Sequence, residues 1–344
     1  MNVLALNPGS STLKFALYDD HELITKGVVE VTEGMGKAAA AVIARQTVDA
    51  VGCRVVHGGS RFVTPVLVDD AVLDEIRALV PLAPLHNPLA IEVLSEARRA
   101  LPSASLVAVF DTAFHQTLPA VASTYAVPRT LGVRRYGFHG ISHGYIASRL
   151  RRPRLISCHL GNGASVCAIR DGKSVDTSMG LTPMEGLVMG TRSGDVDPGL
   201  VLYLLRRGMS VDEVDHLLNH ESGLLGLSGV SGDMRTLEKE GAEPAMDVFA
   251  YRVAKYIGAY AAALEGLDAV AFTGGIGEHS SSMRRRICAR LRFLGIVLDE
   301  ASNAAVKGEE ARISAGDAAV EVWVVPTDEE AEVARATLIV ARAG

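Results

Sequence analysis

Residues 6–15 read LNPGSSTLKF, and the fold turns on how this stretch is interpreted. The apolar run Met1 to Leu6 stops at Asn7 and Pro8, turns through Gly9, Ser10, Ser11 and Thr12, and sends out Lys14 on a new apolar stretch. Glycine lets backbone N–H groups approach an anion with no side chain in the way, and hydroxyls and a lysine add donors. The expected structure is a strand, a phosphate-holding turn and a second strand. The pattern returns downstream. NPGSSTLKFALYDD and GNGASVCAIRDG share a glycine-serine turn, an apolar strand and a hairpin-type turn, and Gly9, Ala16 and Asp19 match Gly161, Ala168 and Asp171 at one constant offset of 152. Two related halves are predicted, with a cleft between them and one glycine turn offered from each to a shared ligand.

Strand-like runs alternate with helical patterns from end to end, which argues an α/β fold with mixed sheets. Several helices announce their starts: Asp197 before Pro198, Ser210 with Glu213, and Thr327 with Glu330 after the apolar run Val320 to Val325. The longest helical pattern runs from about Pro244 to Glu265, with Gly266 as its stop. No period of roughly 20 to 50 residues is present, which excludes a solenoid.

The composition, 48% hydrophobic and 22% charged over 344 residues, is globular and sufficient for two domains with real cores. A formal net charge of −6 gives no global pull toward nucleic acid or anionic membrane, so a polyanionic ligand must meet a local cluster of positive charge. Cys53, Cys158, Cys167 and Cys288 show no CxxC spacing and read as reduced core residues. Met1 to Leu6 is too short and lacks the basic flank of a signal peptide. A soluble cytoplasmic protein without nucleic-acid or membrane partners is expected.

Four strand-like segments end in similar polar turns: VLALNPGSS, LVAVFDTAFH, LISCHLGNGAS and AVAFTGGIGEHS. None matches GxxxxGK[ST] or a complete GxGxxG. In CRVVHGGSRF, Arg54 sits among apolar and glycine residues, where a charge is costly unless paired with an anion. His86 lies in a proline-rich loop, and YGFHGISHGY places His139 and His143 four apart, although Gly137 and Gly140 interrupt the helix a metal pair would need. Residues 177–199, TSMGLTPMEGLVMGTRSGDVDPG, read as a long functional loop carrying Arg192. Asp111 ends its strand and Glu329 sits in the first turn of the last helix, where carboxylates suit a hard cation such as magnesium.

In these blocks, with LAPLHNP, VFDTAFHQT and PTDEE in the same order, the chain resembles the acetokinase family of the actin, sugar kinase and Hsp70 ATPase superfamily. The resemblance implies two ribonuclease H-like domains with a duplicated core and an intervening cleft. One would comprise residues 1–114 plus 330–344, and the other, for nucleotide binding and dimerisation, residues 115–329. It implies reversible phosphoryl transfer between ATP and acetate, giving acetyl phosphate and ADP, with magnesium, for which manganese can substitute, in a homodimer. Asn7, Ser10 and Lys14 would line the phosphate end, and Asn7, Asp111 and Glu329 would hold the metal. Arg54 and Arg192 would clamp the carboxylate and the phosphoryl group, while His139 and Arg192 stabilise the transition state. His159, Asn162 and Gly163 would touch nucleotide phosphates, and Asp233, Met234, Arg235, Gly275, Ile276 and Gly277 would surround adenosine. Val56, Leu85, Phe138 and Pro183 match the pocket for the methyl group. Thr12, Met234 and His279 depart from the usual residues, and a segment between Lys14 and Arg54 is shortened. Alternatives are a propionate or butyrate kinase of the same family, or a non-catalytic nucleotide-dependent clamp on the same fold.

Overall fold

The computed structural model describes residues 1–9 and 11–343. Two compact units are present: residues 1–116, 138–145 and 328–344 form one, and residues 117–137 and 146–327 the other.

The first unit is built on a six-stranded sheet of β1 (Asn2–Pro8), β2 (Thr12–Asp19), β3 (Glu22–Glu30), β4 (Ala50–Val55), β5 (Val66–Leu67) and β6 (Ser105–Phe110), in the order β3-β2-β1-β4-β6-β5. β1, β4 and β6 run parallel, while β2, β3 and β5 pair antiparallel with their neighbours. The two-residue period of a strand sends Leu4 and Leu6 of β1 to one face and Val3 and Ala5 to the other. The helices Met35–Ile43 and Asn87–Ala100 cover the first face with Ala39, Val42, Val93 and Leu94. The last helix, Glu329–Ala343, covers the second with Val333, Ala334 and Leu338. It lies so close to β4 that a Cβ at Gly52 would stand 2.0 Å from Thr337 Oγ1. Only glycine permits that approach.

The second unit repeats the plan. Its strands are β7 (Arg154–Leu160), β8 (Ala164–Arg170), β9 (Lys173–Thr177), β10 (Ala269–Thr273), β11 (Ala311–Arg312) and β12 (Glu321–Val324), in the order β11-β12-β10-β7-β8-β9. As in the first unit, an antiparallel meander of three strands is followed by two strands parallel to its first member, with an antiparallel edge strand. Even the irregularity recurs: the register shifts at Leu17/Tyr18 in the first meander and at Ala168/Ile169 in the second. The core is duplicated, yet the letter matches beyond the first turn are out of register. Pro8 pairs with Leu13 across one hairpin and Leu160 with Ala164 across the other, so the second turn is one residue shorter. The residues in equivalent left-handed turn positions are Asp20 (φ 51°) and Asp171 (φ 48°), not Asp19 and Asp171.

Local signals set most helix ends. Asp197 accepts from the Gly199 amide, and Ser210 and Glu213 form the reciprocal box. The longest helix spans Glu243–Ala263, and Gly266 (φ 131°) closes it by donating to Ala261 O at 3.0 Å. The last helix differs from expectation. Asp328 Oδ1 accepts from the Ala331 amide at 2.9 Å, whereas the Glu330 carboxylate is bonded to Asn7. A tertiary partner has outcompeted a local box. Among the described residues, no helix is long and apolar enough to cross a membrane. All four cysteines are buried thiols.

Candidate active site

The parallel strands β1, β4 and β6 end at one edge of their sheet, which is where open α/β sheets bind ligands. Asn7 lies near the end of β1, Arg54 near the end of β4, and Asp111 directly after β6. The first turn of the last helix brings Glu329 and Glu330 to the same edge. Asn7 Nδ2 donates to Glu329 Oε2 at 2.9 Å and to Glu330 Oε1 at 2.8 Å. Arg54 Nη1 lies 3.4 Å from Asn7 Oδ1, Nη2 is paired with Asp111 Oδ2, and Nε is 3.8 Å from Glu329 Oε2. Sequence reasoning missed Glu330, treating it only as part of a helix start.

Three carboxylates therefore surround one guanidinium. Burial works against the charge on Arg54, and Asp111 and Glu329 more than restore it. Burial likewise pushes the Asp111 carboxyl up, Glu329 adds to the rise, and Arg54 opposes it. The side chain of Asp111 is fully buried, and its Oδ1 has no hydrogen-bond partner. A buried oxygen left in this state, within a cluster carrying excess negative charge, fits a hard divalent cation. Among the described residues, no three acidic, histidine or cysteine side chains form a ready cage. Magnesium does not require one, since it keeps several waters and uses one or two carboxylates beside substrate phosphates.

His139 precedes the helix Gly140–Leu150 and holds φ at 55°, a left-handed value that costs a non-glycine residue about 1 to 3 kcal/mol. Gly137 before it is also left-handed, at φ 78°. Two backbone bonds fix the residue: the His143 amide donates to His139 O at 2.9 Å, and the Gly140 amide donates to Asp111 O at 3.0 Å. Of the expected methyl pocket, Val56 and Phe138 are both buried in this unit. The His57 ring lies edge-on to Phe138 at 5.4 Å, with the His57 backbone held by Asn87 through two bonds of 3.1 Å. Leu85 is instead 48% exposed, and Pro183 belongs to the second unit. Lys14 is exposed, and Ser10 lies outside the described residues.

In the second unit, β7 and β10 are parallel neighbours, with His159 beside Thr273. The turns that follow them meet, because a Cβ at Gly274 would lie 2.9 Å from Leu160 O. The Gly190 amide donates to Asn162 O at 2.8 Å, and a Cβ at Gly232 would lie 2.7 Å from Gly190 O. Asn162, Gly190 and Gly232 thus lie against one another, and Gly274 packs on the end of β7. Asp233 caps the helix Met234–Glu240 and pairs with the exposed Arg235, whereas Met234 is buried. Gly275 is exposed, Ile276 half-buried and Gly277 buried in the short helix Gly274–His279. One expectation needs correction. The amides of Gly9, Gly161 and Gly274 are taken up by the protein's own oxygens, donating to Thr12 O, Gly163 O and the Glu278 carboxylate. At these three positions the glycine's own amide serves the turn itself, and the chain packs closely around it.

Residues 178–197 form no regular element, in keeping with a loop. Arg192 Nη1 donates to Pro183 O at 2.7 Å and lies 3.7 Å from Met189 Sδ, so two expected site residues meet within the loop. A polar scaffold that the sequence did not reveal supports it. Arg135 donates to Thr177, Ser178 and Met179 carbonyls at 3.0, 3.2 and 3.0 Å and pairs with Glu185, which Tyr125 also contacts.

The acetokinase family model matches residues 35–335. An acetate kinase from Deinococcus radiodurans is 49% identical over 394 positions, covering 99% of this chain and 98% of its own. That alignment is longer than the 344-residue chain, so the relative carries segments missing here. The crystal structure of Porphyromonas gingivalis acetate kinase shares 38% identity at a TM-score of 0.90, covering 98% of this chain and 99% of that one. A propionate kinase from Francisella tularensis shares 37% at 0.89, with 98% of each chain covered. With a family model spanning most of the chain and relatives matching it nearly end to end, the chain belongs to the acetokinase family.

Proposed function

We propose that the chain is an ATP:acetate phosphotransferase that moves a phosphoryl group reversibly and in line between ATP and acetate, giving acetyl phosphate and ADP. The observation that carries this reading is the buried Arg54–Asp111 pair, with an unpartnered Asp111 oxygen and two further carboxylates beside it. Acetate is already ionised at neutral pH, its pKa being about 4 to 5, so the nucleophile needs no general base. Transfer instead requires cationic and hydrogen-bonding groups to hold the charge of a loose transition state spread over three oxygens.

In this reading Arg54 anchors the acetate carboxylate and Val56 and Phe138 contact its methyl group. Leu85 and Pro183 complete that pocket. His139 and Arg192 donate to the phosphoryl oxygens. Asn7, Asp111 and Glu329 would hold magnesium, which supplies charge neutralisation at the phosphates when bound. Ser10, Lys14, His159, Asn162 and Gly163 would lie along the nucleotide phosphates, and Asp233, Met234, Arg235 and Gly275 to Gly277 along adenosine. A homodimer through the second unit is part of the proposal, and the exposed Leu202, Tyr203 and Tyr251 of that unit support it. Catalysis would take place in the cytoplasm.

Formation of acyl hydroxamate from ATP, hydroxylamine and a series of short acids tests the assignment. Acetate should be preferred and propionate tolerated, since one methylene discriminates by only about 1 to 3 kcal/mol. A clear preference for propionate would move the chain to the second reading, a propionate kinase of the same family. ATP binding without hydroxamate from any acid would overturn both.

A further inference from the structure

Three consecutive residues around His139 are each tied to a different part of the first unit. Two of the ties are backbone bonds: Gly140 N to Asp111 O, and His143 N to His139 O. The third comes from a side chain. His115, in the short helical segment Ala113–Thr117, lies four residues beyond Asp111, is 1% exposed, and places Nε2 3.0 Å from the carbonyl oxygen of Phe138. A carbonyl can only accept, so Nε2 carries the proton. The His115 ring packs edge-on against His143 at 5.8 Å and against Phe114 at 5.6 Å, which fixes the direction in which that proton points.

His139 needs such restraint because left-handed backbone in a non-glycine residue persists only where its surroundings over-determine it. The peptide joining Phe138 to His139 contains the His139 nitrogen, whose torsion to Cα is the left-handed one. A donor on the Phe138 carbonyl therefore sets the plane of that peptide and the direction in which His139 leaves it. The same His115 is covalently close to Asp111, so one short segment locates both the orphaned carboxylate oxygen and the histidine loop.

We propose that His115 is a positioning residue for phosphoryl transfer, holding the Phe138 carbonyl so that His139 keeps its left-handed backbone. The inference rests on His139 acting in transfer. His115 itself touches no reacting group. Misplacing a catalytic group by about 1 Å can cost on the order of a hundredfold in rate, so kcat should fall between about tenfold and a hundredfold when the donor is lost, with KM for acetate and ATP nearly unchanged.

The test compares kcat and KM in His115→Leu, His115→Gln, His139→Ala and the His115→Leu/His139→Ala double variant. Glutamine can place an N–H where Nε2 stands and should restore most of kcat, whereas leucine cannot. If His115 acts through His139, the double variant should be no slower than His139→Ala alone. Wild-type kcat in His115→Leu would overturn the inference, and so would losses that add fully in the double variant. Should the leucine variant fail to fold, His115→Asn serves in its place, being too short to reach the carbonyl. Equal activity of the asparagine and glutamine variants would then overturn the inference. A normal kcat in His139→Ala would instead remove His139 from the reaction, and the inference with it.

Discussion

The amide of Gly140 donates to the main-chain oxygen of Asp111 at 3.0 Å, and a Cβ at position 140 would stand 2.0 Å from that same oxygen. The residue after His139 is thus stitched to the residue whose buried carboxylate oxygen lacks a partner. Side chains separated by 28 positions in sequence share one backbone hinge point because glycine stands at that point.

Gly140→Ala tests this contact. The nearest atom is backbone, with Phe114 Cβ another 2.9 Å away, so the chain has to move rather than a flexible side chain. Overpacking of this kind costs typically about 1 to 3 kcal/mol. We expect a denaturation midpoint lowered accordingly and a kcat reduced at least tenfold, measured by hydroxamate formation. Unchanged stability and turnover would show that the two segments are not rigidly joined.

Arg54→Met removes the guanidinium from three carboxylates. Leaving a buried charge without its partner costs about 3 to 5 kcal/mol, so thermal stability should drop sharply in metal-free buffer. Magnesium should recover a larger part of that loss than it adds to the unsubstituted protein, because the cation replaces the missing positive charge. Equal thermal shifts with magnesium in both proteins would count against a metal at Asn7, Asp111 and Glu329.

Arg192 Nη1 donates to the carbonyl oxygen of Pro183 within its own loop. Losing that bond in Arg192→Ala should cost about 1 kcal/mol of stability. Its effect on kcat should be far larger, since a transition-state arginine contributes roughly a thousandfold or more in other phosphoryl-transfer enzymes. Steady-state kinetics beside a melting curve separates the two outcomes.

Asp176, half-buried in β9, has its carboxyl pushed up by burial, with the Thr177 amide opposing. An acid that binds its proton more tightly when folded adds stability below its ordinary value near 3.9, and that contribution is lost as pH rises through the folded value. Asp176→Asn should consequently stabilise the protein at neutral pH and give no gain below about pH 4, where the aspartate is protonated in both states. A pH series of urea midpoints checks the sign.

Local features of the chain were legible to the extent that neighbours in sequence decide them. The alternation of Val3 and Ala5 with Leu4 and Leu6, the caps at Asp197 and Ser210, and the stop at Gly266 each depend on a few adjacent residues. The duplication was visible in two glycine turns, but a one-residue difference in hairpin length shifted Asp20, not Asp19, into the place matching Asp171. Letter matching cannot see a register that hydrogen bonds set.

The amino-acid order by itself determined the strand and helix periodicities, the family, and a list of side chains able to serve a phosphoryl transfer. Tertiary structure alone decided that Glu330 bonds to Asn7 rather than capping its own helix, that the amides of Gly9, Gly161 and Gly274 satisfy the protein's own oxygens, and that His115 reaches the carbonyl before His139. The physical reason is distance along the chain: a buried donor or acceptor bonds to whatever partner the packed fold presents, and that partner can lie hundreds of residues away.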